Sequence, residues 1–248
     1  MCTVVVLRRP EHPWPLLVAA NRDEMIGRPW LPPGRHWSDR PNVVAGQDIL
    51  ADGSWLGLND EGVVAAILNR VGTLGPLPGK RSRGELVLEA LDHADAVDAA
   101  QALIHLDCSA YRPFNMVVAD NRDGFWLRSD GETIRALPLP EGVSMLTAVD
   151  LNDERDPRIR NFLPKFEESR LPDPDSGDWQ DWRRLLATAV PAGVTDREAG
   201  LTFQLPSGFG TRSSALIGLP SVDRAGQSPV FLFAPGPPDQ TNYRPVVA

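Results

Sequence analysis

The sequence predicts an α+β domain built mainly on antiparallel sheets, and three observations carry that reading. The apolar runs are strand-length; the 21 Gly and 24 Pro of the 248 residues fall between those runs rather than in one tract; and few regions show helical spacing. The 42% apolar and 23% charged residues are ordinary globular proportions. They exclude a disordered or fibrous chain, and the length suits a single domain, residues 1–248, that buries its own core.

The strands expected in order are Thr3–Leu7, Leu16–Ala20, Trp55–Leu58, Val63–Leu68, Asn115–Ala119, Phe125–Arg128, Thr133–Leu137, Met145–Val149, Ser213–Leu219 and Val230–Ala234. Short turn signals join several of them: Asn59-Asp-Glu-Gly62, Asn121-Arg-Asp-Gly124 and Ser129-Asp-Gly-Glu132. Such connections imply hairpins, hence antiparallel pairing. Asp156-Pro157 reads as a helix N-cap and first residue, with Ile159, Phe162, Leu163 and Phe166 on one face. A second helix after Asp178 carries Trp179, Trp182, Leu185, Leu186 and Ala189 as its apolar stripe. Residues 82–106 have helical periodicity that His93-Ala-Asp95 breaks into two helices. The Pro/Asp/Gly-rich residues 171–177 read as a surface loop.

Composition also narrows function. With 25 Lys+Arg against 33 Asp+Glu, the formal net charge is −8, which repels a phosphate backbone; no nucleic-acid partner is expected. No apolar run approaches the ~20 residues of a membrane span, and nothing resembles a secretory leader, so the expected location is the cytoplasm. Two cysteines, Cys2 and Cys108, make no disulfide framework. His12, His36, His93 and His105 show no ligand spacing with Cys108, and Gly72-Thr-Leu-Gly75 and Gly208-Phe-Gly210 lack a strand–turn–helix context. Neither a metal nor a cofactor is expected.

Two local features point to chemistry. Cys2 follows Met1 and precedes an apolar strand. Aminopeptidases remove Met before small residues, and a freed Cys2 would carry a nucleophilic thiol and a base on one residue, the α-amine having a pKa of about 7.7–8.0. The alternative is a small, buried strand residue. The second feature is Asn21-Arg22-Asp23-Glu24 after the strand Leu16–Ala20. It reads either as a solvated turn or, if a hairpin brings it beside Cys2, as a group whose Arg22 favours the thiolate.

Met-Cys-Thr at the start with Asn-Arg-Asp-Glu after the second strand resembles the NRDE family, also called the transport and Golgi organisation family. Gly53-Ser-Trp-Leu-Gly57, Asn69-Arg70, Arg112-Pro-Phe-Asn-Met116 and Gly210-Thr-Arg-Ser213 extend the resemblance to about residue 219. The family in turn resembles the N-terminal-nucleophile hydrolases of the penicillin V acylase, bile-salt hydrolase and acid ceramidase branch. That resemblance implies a four-layer α-β-β-α sandwich, with Cys2 as nucleophile and Arg22 and Asp23 as its charged neighbours. The arginine–aspartate spacing of the branch is longer than in this chain, which leaves Glu24 and Asn21 as alternatives for the carboxylate and amine-orienting roles. It also implies that Asn69 and Asn115 help form an oxyanion hole and hold the amine, and that Arg212 closes a charge network with the acidic residue. The unspecialised readings are turn-capping asparagines and a surface salt bridge.

Two functions follow from the resemblance. One is hydrolysis of a non-peptide amide or other acyl bond through a Cys2 thioester. The other is a non-catalytic carrier or chaperone that holds a hydrophobic ligand (acyl-CoA, lipid or haem) in the same pocket, since eukaryotic members are linked to haem trafficking and lipid metabolism. The partner is a small acyl or hydrophobic molecule in either case. The sequence has no Cys-Pro dipeptide of the haem-regulatory kind. Trp30, Trp37 and Trp55 are the candidates for shaping specificity.

Overall fold

In the computed structural model, which describes residues 2–189, 200–224 and 226–247, the alternating apolar runs become thirteen strands and four α-helices. In chain order they are β1 (Thr3–Arg8), β2 (Leu16–Met25), β3 (Trp30–Gly34), β4 (Val43–Asp48), β5 (Leu56–Asn59), β6 (Val64–Asn69), α1 (Glu85–Leu91) and α2 (Ala96–Ile104). Then come β7 (Phe114–Ala119), β8 (Gly124–Ser129), β9 (Ile134–Pro138), β10 (Gly142–Leu146), α3 (Pro157–Glu168), α4 (Gln180–Leu186), β11 (Phe209–Leu219), β12 (Val230–Ala234) and β13 (Arg244–Pro245). A 3₁₀ turn spans Cys108–Ala110. All strand pairings in the sheets are antiparallel, as the hairpin signals require.

The elements sort into two compact units, each with one sheet. The first unit holds residues 1–27, 140–147 and 151–245, and its six strands run β10-β1-β2-β11-β12-β13. Its helices lie where the sequence places them. Asp156 caps α3 by accepting from Arg158 N at 2.8 Å and Ile159 N at 3.2 Å, so the chain can start a helix at Pro157 without orphaned donors. Ile159, Phe162, Leu163 and Phe166 are buried, and Phe166 meets Trp182 of α4 edge-on at 5.5 Å. Burying an aromatic side chain of this kind stabilises by roughly 1.5–3 kcal/mol. Trp179, Trp182 and Leu186 share that core, whereas Ala189 lies beyond the helix end and is exposed.

The second unit holds residues 28–139, 148–150 and 246–248, and its seven strands follow one another in sequence order from β3 to β9. Helices α1 and α2 cover one face of this sheet: Leu86, Val87, Leu91, Ala99 and Leu103 pack with Ala65, Phe114, Met116 and Val118. The break between them falls where His93-Ala-Asp95 places it, with Asp95 accepting from Asp98 N at 2.8 Å as the new N-cap. Strands β3, β4 and β13 escape the sequence reading. Trp30–Gly34 contains consecutive prolines, and Val43–Asp48 passes from an apolar half to Gly46-Gln-Asp48, so neither shows a clean alternation. Gly53 lies where a Cβ would stand 2.5 Å from the Gly84 carbonyl carbon, so this position requires the missing side chain. Trp55 packs its indole over Gly46 and edge-on to Trp30 at 5.8 Å, while Trp37 is buried in the helix-side core and donates to Asp52 O at 3.2 Å. No helix among the described residues is long and apolar enough to cross a membrane.

Candidate active site

The β1–β2 hairpin expected from the apolar runs forms with Thr3 opposite Asn21 and Arg8 opposite Leu16. Its second strand does not stop at Ala20. It continues through Asn21-Arg-Asp-Glu24 to Met25, because β11 pairs with it as far as Met25 although β1 pairs with it only up to Asn21. The tetrad is therefore a buried strand segment rather than a solvated turn: Asn21, Arg22 and Asp23 are each less than a tenth exposed.

This extension puts Asp23 beside Cys2. The Asp23 N–H donates to Cys2 Sγ at 3.3 Å, and the thiol donates to Asp23 O at 3.5 Å. Burial pushes the thiol pKa up, and the Asp23 charge adds to that shift; the Asp23 N–H and the Arg22 charge pull the other way. The resting group is thus a neutral thiol that needs a base, not a preformed thiolate. Met1 lies outside the described residues, and its removal is an expectation from sequence.

The Asp23 carboxylate is held by groups the sequence reading did not single out. Thr211 Oγ1 donates to Asp23 Oδ1 at 2.8 Å, and Arg158 Nη1 lies 3.5 Å from Oδ2. Arg158 Nη1 also donates to Thr3 Oγ1 at 3.2 Å. The N-cap that starts α3 is what delivers this guanidinium, since Arg158 is the helix's second residue. Strand alternation turns Asn21 to the same side as Asp23, where its Nδ2 donates to Leu186 O and Leu201 O at 3.0 Å each. Asn21 therefore ties β2 to the end of α4.

Arg212 departs from its expected partner. It sits at the register shift between Thr211 and Ser213, and its guanidinium donates to the carbonyls of Glu24 and Gly210 at 3.2 Å and to Gln204 Oε1. The arginine on the Asp23 carboxylate is Arg158 instead, because the bulge aims Arg212 at backbone oxygens. Glu24 accepts from Met25 N at 2.7 Å.

Asn69 and Asn115 belong to the second unit. The register pairs Asn69 with Phe114 and Leu68 with Asn115, so alternation sets the two asparagines on opposite faces of that sheet. Asn69 shares the parity of the helix-covered face. Asn115, fully buried, accepts from Arg70 at 2.6 Å and Trp126 Nε1 at 3.2 Å, and donates to Val149 O at 2.6 Å. Arg70 and Arg128 share Asp150 at 2.6 and 2.9 Å. The Asn69-Arg70 dipeptide carried a signal for this cluster; Arg128 and Asp150 carried none, since only the folded chain brings a β8 residue and a loop residue together.

Cys108 is half-buried, with its Sγ 3.7 Å from Gly131 O. Among the described residues, no group of three or more His, Cys, Asp and Glu is arranged to hold a metal ion.

An α+β chain with two antiparallel sheets and few helices has solved counterparts. An N-acylethanolamine-hydrolyzing acid amidase ortholog from Caenorhabditis elegans matches with a TM-score of 0.58 at 16% identity, covering 92% of this chain and 98% of that one. The C2A mutant of conjugated bile acid hydrolase from Clostridium perfringens gives 0.53 at 12% identity over 100% and 97% of the two chains. Penicillin V acylase from Agrobacterium tumefaciens gives 0.50 at 16%, over 95% and 83%. At these identities the likeness establishes the fold, that of the N-terminal-nucleophile hydrolases. The sequence matches Transport and Golgi organisation 2 over residues 1–218, and the chain belongs to that family. No curated protein matches it by sequence.

Proposed function

We propose that the protein is a hydrolase of a non-peptide amide or other small acyl bond, with Cys2 as nucleophile once Met1 is removed. The observation that carries this reading is the seating of the Cys2 sulfur on the backbone of Asp23, a residue whose buried carboxylate is clamped by Thr211 and Arg158, with the Arg22 and Asp23 charges both acting on the thiol. A thiol held neutral by burial needs a base on the spot, and a freed Cys2 amine is one.

In this reading the amine takes the thiol proton as sulfur attacks the acyl carbon. A C–S bond forms, the C–N or C–O bond breaks, and the ammonium returns the proton to the leaving group. Water, deprotonated by the same amine, then cleaves the thioester and restores the thiol. Asp23, fixed on two sides, favours the protonated amine electrostatically, and Arg22 favours the thiolate. The solved counterparts named as acylases and amide hydrolases support this class, including one studied with its second residue changed from cysteine to alanine.

The test combines intact mass with an electrophilic acyl analogue. Loss of Met1, label on Cys2 and not Cys108, and abolition of label by Cys2→Ala are the expected results. A processed chain whose Cys2 takes no acyl group from any donor ends the hydrolase reading and leaves a ligand carrier.

A further inference from the structure

A second candidate site stands apart from the thiol, at the end of α4. A concavity of about 470 Å³ is lined there by Arg183, Arg184, Thr241, Asn242 and Tyr243, with no acidic side chain among the described lining residues. In a chain with a net charge of −8, this is a local reversal of sign.

Arginines in the last turn of a helix ordinarily serve its dipole and its free carbonyls. Here those carbonyls are taken by other donors. Arg183 O accepts from Ala187 N at 3.0 Å, Arg184 O from Thr188 Oγ1 at 3.3 Å, and Leu185 O from Thr188 N at 3.0 Å. Leu186 O accepts from Asn21 Nδ2 at 3.0 Å and Thr202 Oγ1 at 2.8 Å. The last turn therefore does not need the two guanidiniums as caps, and both arginines line the concavity.

They are not equivalent. Arg184 lies 3.2 Å from Asp181. Arg183 pairs with no carboxylate among the described residues, and its Nε is buried without a hydrogen-bond partner. The guanidinium is also fixed in place, stacked 5.2 Å over the Tyr243 ring. That ring is itself anchored, with Tyr243 Oη 2.6 Å from Ser214 Oγ, which donates to Ala20 O at 2.9 Å. Burial pushes the Tyr243 hydroxyl up to about 12, so the platform adds no negative charge near neutral pH.

We propose that this concavity binds the oxyanion group of a small ligand, a carboxylate or a phosphate, through the planar Arg183 guanidinium, with Arg184 at its rim. A stacked guanidinium offers its terminal N–H groups, in the plane of the group, as a fork for two oxygens. Thr241 and Asn242 contribute neutral polar groups to the same wall.

Calorimetric titration of the full chain with inorganic phosphate, and separately with acetate, at constant ionic strength tests this. Saturable binding of one anion per chain is expected, weakened at least ~10-fold by Arg183→Gln and partly restored by Arg183→Lys. Arg224→Gln, at a guanidinium already paired with Asp175, leaves it unchanged. Saturation by phosphate alone assigns a phosphate ligand, by acetate alone a carboxylate, and by both the shared chemistry. Binding of neither anion overturns the site, as does equal binding by Arg183→Gln. If circular dichroism shows Arg183→Gln unfolded, Arg184→Gln decides: weaker binding supports the site and undiminished binding overturns it.

Discussion

Each unit builds a cluster of arginine and aspartate on its own sheet, and the two clusters have left water to different degrees. In the first, the Asp23 side chain is wholly unexposed and its partner Arg158 is 6% exposed, with 3.5 Å between them. In the second, Asp150 is a third exposed and takes Arg70 and Arg128 at 2.6 and 2.9 Å. The tighter distances belong to the weaker cluster. Solvent screens Asp150, whereas removing one partner around Asp23 strands a charge in a medium that cannot hydrate it. Burial, not contact distance, sets what each carboxylate is worth.

That contrast can be broken by mutation. Asp23→Ala is expected to cost about 3–5 kcal/mol in urea unfolding, because Arg158 loses its counter-charge inside the fold. Asn115→Ala comes next, at about 1–3 kcal/mol, since Val149 O and Trp126 Nε1 lose their partner; Asn69→Ala should stay within about 0.5 kcal/mol. Asp150→Ala should cost no more than about 1 kcal/mol after screening. Equal losses for Asp23→Ala and Asp150→Ala would refute the contrast.

The smallest expected effect is on pH dependence, and it sharpens the same point. Burial raises the Cys2 thiol pKa, so the folded chain binds that proton more tightly than the unfolded chain does. The stability it contributes is fully present below the ordinary thiol pKa and is lost as pH rises through the folded value. In a chain retaining Met1, alkylation of Cys2 should reach half its limiting rate at a higher pH than a free cysteine peptide. An equal or lower midpoint would show that Arg22 and the Asp23 N–H outweigh burial.

Much of the fold was legible because its signals are local. An N-cap aspartate before proline and an aromatic stripe at helical spacing define α3 and α4, and turn residues between apolar runs define the hairpins of the second sheet. The candidate site was legible in part. Cys2, Arg22 and Asp23 stand together because a hairpin joins the second residue to residues twenty positions on. Arg158 and Thr211 were not, since each reaches Asp23 from an element more than a hundred residues away in sequence. The expected partnership of Arg212 with the carboxylate failed on a single bulge that no composition announces.

By itself the sequence determined the class of fold, the family and the small set of polar residues worth suspecting, because hydrophobic periodicity and turn chemistry act between near neighbours. Tertiary structure alone decided which arginine meets which carboxylate, that Asn69 and Asn115 face opposite ways, and that the tetrad is a buried strand. Those outcomes depend on register and burial, where a shift of one residue reverses a side chain's face and a change of solvent exposure alters what its charge is worth.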